Sequence, residues 1–230
     1  MCGRFTVTVT WEELLLRFML DPRPGAYQPR YNVAPGQYIP AIIGGDASDG
    51  TRAANRLGEL RWGLVPTWAQ DEKSGVRMIN ARSETAAEKP AFRSLLKRKR
   101  CLIPADGFYE WKNDGVRKQP MRFVLAEGGL FGMAAMYDTW LSADGSKLHT
   151  CTILTTRANE LVAGVHERMP VILEPEGERL WLSRSLQEES QLLPLLKPYP
   201  AESMRSYPVD PKVGNVKNDT ADCIAPMEVS

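Results

Sequence analysis

Strand-like segments crowd the middle of this chain. They fall near residues 101–112, 119–126, 130–138, 149–156 and 169–173. Most of the gaps between them are too short for the crossover helices that parallel strands need. The pattern predicts an α+β fold with a mainly antiparallel, curved or barrel-like sheet core flanked by helices, because so many strands must close on one another. Further strands are predicted from the Phe/Val–Thr alternation of Phe5–Thr10, near 37–44 and 56–65, and late, over Ser206–Val209. Thr10 and Glu13 form a capping-box signal for a helix over about 11–20. Pro90 is placed to start a helix reaching about Arg98, and helical patterning returns across 175–196. The Pro- and Gly-rich stretch Asp21–Gly36 reads as an ordered loop, and Gly44–Thr51 as a hairpin tip. No repeat or linker divides the chain, so residues 1–230 are expected to form a single domain.

Cysteine use bears on compartment. Cys2, Cys101, Cys151 and Cys223 are far apart and form no C-x-x-C, so neither a zinc knuckle nor a disulfide framework is indicated. Cys101 and Cys151 sit in apolar strand segments and read as core thiols. Residues 1–20 lack the pattern of a signal peptide, and no apolar run is long enough to span a bilayer. A reducing cytoplasm, no membrane association and a monomer are the expectations. Phosphate-cradling glycine motifs and H-E-x-x-H are absent, so no cofactor and no metal are expected.

Charge is uneven. Arg77–Arg122 holds twelve Lys/Arg against five Asp/Glu, a local +7 in a chain of net charge +1. Such a segment either steers an anionic partner or is a solvated helix around Arg93, Lys97, Arg98, Lys99 and Arg100.

Several residues carry chemistry. Cys2 follows the initiator Met1. Removal of Met1 would leave an α-amine and a thiol on adjacent carbons, with ordinary pKa values of about 8 and 8.5. This 1,2-aminothiol condenses with an aldehyde to an imine and closes to a thiazolidine. Glu110, set among Phe108, Tyr109 and Trp111, suits proton transfer if desolvated; the alternative is an exposed strand Glu paired with Lys112. His166, in a polar turn, is the stronger of two histidines as an acid/base group, or else structural. Asn80 and Arg82 offer an amide and a guanidinium fork to phosphate or sugar oxygens, or else cap a helix. Trp68, just past Pro66, is placed to stack on an unpaired base, or else is core.

Seven strings taken together resemble one family. They are Met1-Cys2-Gly3-Arg4-Phe5, Tyr31–Gly36, Arg61–Pro66, Ile79–Thr85, Cys101–Trp111, His166–Pro170 and Val213–Asn218. In this order they are similar to the SOS response-associated peptidase (SRAP) family, proteins that shield abasic sites. The resemblance implies that fold and a free Cys2 that crosslinks to abasic sites in single-stranded DNA. It assigns Cys2 as nucleophile, with Asn32 and Glu110 flanking it and His166 as acid/base. It assigns Arg4, Asn80 and Arg82 to DNA contacts. The family's peptidase label implies autocatalytic exposure of Cys2. Thr67 departs from some members at this position and bears on base stacking. Two other readings stand beside this one. An N-terminal-nucleophile glutamine amidotransferase also begins Cys-Gly, although its Arg-Gly-Pro-Asp and Asn-Gly-Glu type strings are absent here. A non-covalent single-stranded nucleic-acid binding module would use only the basic segment and Trp68.

Overall fold

The computed structural model describes residues 2–20, 27–45, 55–113 and 115–227. Its strands are β1 (Phe5–Val7), β2 (Arg30–Val33), β3 (Tyr38–Ile43), β4 (Arg56–Trp62), β5 (Asn80–Arg82), β6 (Arg100–Ala105), β7 (Gly107–Asn113), β8 (Lys118–Leu125), β9 (Phe131–Leu141), β10 (Lys147–Arg157), β11 (Arg168–Pro170), β12 (Ile172–Leu173) and β13 (Met204–Pro208). The α-helices are α1 (Trp11–Phe18), α2 (Pro90–Arg98), α3 (Glu160–Ala163), α4 (Pro175–Leu182) and α5 (Glu189–Leu192).

Strands β10, β4, β3, β6 and β9 pair in that order, and β9 pairs again with β10, which closes a five-strand barrel. The β9–β10 seam runs from Lys147 opposite Leu141 to Ile153 opposite Ala135. Closure removes the exposed edges that an open sheet of these apolar strands would present. β5 and β11 extend from β10, and β12 from β9. A second sheet, β13–β8–β7–β1–β2, is antiparallel throughout. The fold is therefore α+β with a mainly antiparallel, barrel-like core, as the strand spacing predicts; β10 is the exception, running parallel to β4 and β5. None of the described helices is long and apolar enough to cross a membrane.

Local signals act where the sequence places them. Thr10 caps α1 by accepting from the Glu13 amide at 3.2 Å, and Glu13 returns the bond to the Thr10 amide at 2.7 Å. The helix ends at Met19, which takes a left-handed φ of 50°. α2 begins at Pro90 and ends at Arg98. Three readings differ from the structure. The segment 101–112 is two strands, because the Asp106 carboxylate takes the Thr6 hydroxyl and the Thr8 amide and turns the chain from the barrel into the second sheet. The stretch 169–173 is also two strands: Val171 bonds to Leu154 on one side and Ala134 on the other, crossing from β10 to β9. The loop over Asp21–Gly36 contains β2, whose pairing with β1 no local pattern announces. Residues 21–26 of that loop, and the hairpin tip beyond residue 45, lie outside the described residues.

Of the basic segment, the cations at the end of α2 are largely partnered within the chain, and Arg100 is not part of a solvated helix face. Arg100 is buried and gives its donors to the carbonyls of Leu96 (2.9 Å), Trp181 (2.8 Å), Leu186 (2.7 Å), Lys97 and Ser183. It thereby satisfies carbonyls left over at the ends of α2 and α4, and burial lowers its pKa to about 10. Lys97 pairs with Glu189 at 3.0 Å and Lys99 with Asp138 at 2.6 Å. Much of the local positive charge is thus answered by acids or carbonyls from elsewhere in the chain.

Candidate active site

β7 sets the site. Its alternation sends Phe108 into the main core and Tyr109 into a second, smaller cluster with Val209, Val213 and Cys223, against which Trp111 also packs. Glu110 is 4% exposed, which excludes the solvent-exposed pairing with Lys112. β1 runs antiparallel to β7, with Phe5 opposite Phe108 and the Tyr109 amide donating to the Arg4 carbonyl at 3.0 Å. Continuing that register brings Gly3 and Cys2 alongside Glu110.

Cys2 is fully buried. Its thiol pKa lies well above the ordinary range, first because of burial and second because of the Glu110 charge. Glu110 is raised to about 7, chiefly by burial. A carboxyl poised there can give or take a proton near neutral pH. The Cys2 carbonyl accepts from Asn80 Nδ2 at 2.8 Å, while Asn80 Oδ1 is buried with no hydrogen-bond partner among the described residues.

Asn80 also lines a cleft of about 550 Å³, together with Arg82 and His166. Arg77, Lys89 and Arg168 line the same cleft, Glu167 being its single acidic lining residue among the described residues. Asn80 therefore connects the cleft to the backbone of Cys2. The His166 Nδ1 atom accepts from the Arg168 amide at 2.9 Å. In that neutral tautomer the ring proton sits on Nε2. On protonation Nδ1 can instead donate to the Arg168 carbonyl, 3.2 Å away. Burial lowers the His166 pKa, which favours the neutral ring.

Arg168 is fixed by a two-pronged ion pair with Glu84 (2.7 and 2.8 Å) and by the Thr155 carbonyl at 2.7 Å. That pair joins the Ile79–Thr85 string to the His166–Pro170 string. Trp68 is 72% exposed. Its loop leaves the barrel at Gly63, where φ is +130° and a Cβ would fall 2.7 Å from the Gly75 carbonyl oxygen, so only glycine allows this close return.

Arg4 and Asn32 face inward. Arg4 donates to Asn32 Oδ1 (2.8 Å) and to the carbonyls of Val213 (2.7 Å) and Gly214 (3.1 Å). Asn32 is buried and donates to the carbonyls of Val213, Asn215 and Asn218 at 2.7–3.1 Å. The structure thus gathers Asn80, Arg82 and His166 around one cleft, ties Cys2 to it through Asn80 with Glu110 near Cys2, and engages Arg4 and Asn32 with residues 213–218. His149 is a surface group bonded to Thr139 at 2.9 Å. Sequence reasoning counted Arg77 and Lys89 only within the basic segment and did not single out Arg168, which lies inside the His166–Pro170 string and whose Glu84 partner gives no signal of the pairing.

The chain resembles known proteins along nearly its whole length. The family described as SOS response associated peptidase (SRAP) matches residues 1–216. The chain is 48% identical to the abasic site processing protein YoqW of Bacillus subtilis, over 97% of this chain and 99% of that one. It is 34% identical to the abasic site processing protein YedK of Escherichia coli, over 99% and 100% of the two chains. A solved protein from Bacteroides thetaiotaomicron superposes with a TM-score of 0.86 at 28% identity, covering 98% of this chain and all of that one. On the family match and on these relatives, the chain belongs to the SOS response-associated peptidase (SRAP) family.

Proposed function

We propose that this chain senses abasic sites in single-stranded DNA and captures them covalently through Cys2. The observation that carries the reading is the placement of Cys2: its carbonyl is held by Asn80 at the wall of a cation-rich cleft, and its thiol lies within the field of Glu110. The relatives' names, abasic site processing protein, support the same substrate.

The reaction begins with hydrolysis of the Met1–Cys2 peptide bond, carried out by the protein itself, which frees the Cys2 α-amine. An abasic deoxyribose is in equilibrium with its ring-opened aldehyde. The imidazolium fraction of His166 assists ring opening by giving a proton to the ring oxygen, and the neutral ring that results recovers one from the C1′ hydroxyl. The amine adds to C1′ and water leaves, giving an imine. Glu110 takes the proton that the amine releases; its pKa of about 7 allows this at neutral pH. The Cys2 thiol then adds across the C=N bond, sulfur to carbon and proton to nitrogen, and a thiazolidine closes. Consuming the imine removes the electron sink that drives β-elimination, so the strand stays intact. Asn80 and Arg82 contact the sugar–phosphate next to the lesion, and Trp68 stacks on a neighbouring base. Arg4 and Asn32 serve from behind, by tying the segment that carries Cys2 to residues 213–218.

The test is denaturing electrophoresis of the protein with an abasic single strand, alongside the same strand reduced by borohydride. A denaturant-stable band is expected with the aldehyde and none with the alcohol. Equal bands would reject the aldehyde as the electrophile, and no band with either would reject covalent capture.

The charge layout adds a prediction. Lys97 and Lys99 already have acidic partners, so reversing Lys97, Arg98 and Lys99 together is expected to change affinity for undamaged single strands by less than Arg82→Ala does. A positioned guanidinium contact with phosphate contributes on the order of 1.5–3 kcal/mol, against about 0–1 kcal/mol for an exposed pair. Fluorescence anisotropy at several salt concentrations measures both; a steeper loss for the triple variant would place the strand along the C-terminal end of α2.

A further inference from the structure

The Cys2 segment is held from an unexpected quarter, the stretch Pro211–Cys223, which crosses the outer side of β1 and β2 as a strap. It turns four backbone carbonyls toward two side chains. Val213 and Gly214 accept from Arg4, and Val213, Asn215 and Asn218 accept from Asn32. Arg4 in turn bonds Asn32 at 2.8 Å. Arg4 lies two residues from Cys2, so whatever fixes the Arg4 side chain limits the freedom of Cys2.

The strap needs an anchor of its own, because carbonyls alone do not fix where it sits. Asp219 supplies one. Its Oδ1 accepts from the amides of Tyr31 (2.5 Å) and Asn32 (2.9 Å), and its Oδ2 accepts from Arg30 Nε. Arg30 is itself held by Gln37 at 2.9 Å. The Tyr109 hydroxyl adds a tie, donating to the Tyr31 carbonyl at 2.8 Å. One carboxylate therefore pins the strap to β2 at the residue that grips Arg4. Asp219 lies past residue 216, where the family match ends.

We propose that Asp219 is a positioning residue for Cys2: through the strap it fixes Asn32 and Arg4, and so holds the nucleophile against Glu110. This rests on the covalent-capture reading for its consequence, but the positioning itself can be read without DNA. Asp219 touches no reacting atom. It acts by keeping the N-terminal residues closed over the site, an opening equilibrium that local hydrogen bonds govern.

The experiment compares full-length wild type with Asp219→Asn in two measurements. The first is alkylation by iodoacetamide, read peptide by peptide by mass spectrometry. All four cysteines are buried, so each reports opening of its own region. Alkylation of Cys2 is expected to rise by about tenfold or more, as loss of charge-assisted hydrogen bonds at a locally opening segment implies, with the barrel thiols Cys101 and Cys151 as protected as before. The second is single-turnover adduct formation at saturating abasic DNA, per folded molecule, where a fall of about tenfold is expected with affinity for undamaged strands within about twofold. Unchanged alkylation of Cys2 overturns the proposal, whatever the rate does. A parallel rise at Cys101 and Cys151 also overturns it, since that is general unfolding. If wild type forms no adduct, the covalent reading fails and the alkylation result alone decides the role of Asp219. Should Asp219→Asn not fold, Arg30→Gln, which removes the Oδ2 contact, takes its place with the same outcomes.

Discussion

Replacing Cys2 with alanine is expected to abolish the denaturant-stable adduct with abasic single-stranded DNA. The Cys2 side chain is fully buried in the main core cluster, so the substitution leaves a small void that costs on the order of 1 kcal/mol. Folds of this size carry about 5–15 kcal/mol, so the variant should remain folded and bind undamaged strands as wild type does. If Met1 is still removed, the new α-amine of the alanine can form an imine. It has no thiol with which to close the ring, so the imine hydrolyses or eliminates. Borohydride added during the reaction should therefore trap a band from Cys2→Ala, while the untreated sample gives none. A stable adduct in wild-type amount without borohydride would overturn the thiazolidine.

Glu110→Gln is expected to slow adduct formation by ~10²–10⁴-fold, the usual range for a general acid or base, with DNA affinity nearly unchanged. The pH dependence should separate a proton-transfer role from a structural one. The carboxylate is the form that accepts a proton, so the wild-type rate should climb as pH passes through about 7. The Gln variant should lose that limb and keep only the rise belonging to the amine. Stability should move the other way. Because the folded pKa is raised above the ordinary carboxyl value, the stabilisation is fully present at acid pH and is lost as pH rises through about 7. Gln mimics the neutral acid, so Glu110→Gln should melt higher than wild type at pH 8 and nearly level with it at pH 5. An unchanged rate, with its limb near pH 7 intact, would make Glu110 structural. His166→Ala acts at an earlier step and should lower the imine that borohydride traps, whereas a purely structural His166 would leave it alone.

Strand content and site chemistry are both legible in the amino-acid sequence, for different reasons. Strand alternation is a local property with a period of two residues, so the faces of β7 follow from five adjacent letters: Phe108 and Tyr109 do point to opposite clusters. Capping is equally local, which is why Thr10 with Glu13, and Pro90, mark helix starts correctly. The seven strings name the chemistry because each keeps its reactive residues within a short stretch.

The remainder depends on pairings between distant parts of the chain. Whether Glu110 is buried or exposed depends on β7 being sandwiched between β1 and β8. That Arg4 and Asn32 turn inward is decided by carbonyls about 180–210 positions later, and that Arg100 is buried is decided by α4. A run of positive letters such as 97–100 states charge but not direction, and here Glu189, Asp138 and backbone carbonyls answer most of it. The sequence by itself determined which atoms can react: an amine and a thiol on neighbouring carbons, with a carboxyl, an imidazole and a guanidinium to serve them. Only the tertiary structure decided which of these share a cleft and which hold the others in place, because burial and hydrogen-bond partners are set by the closure of the barrel and the strap that crosses β1 and β2.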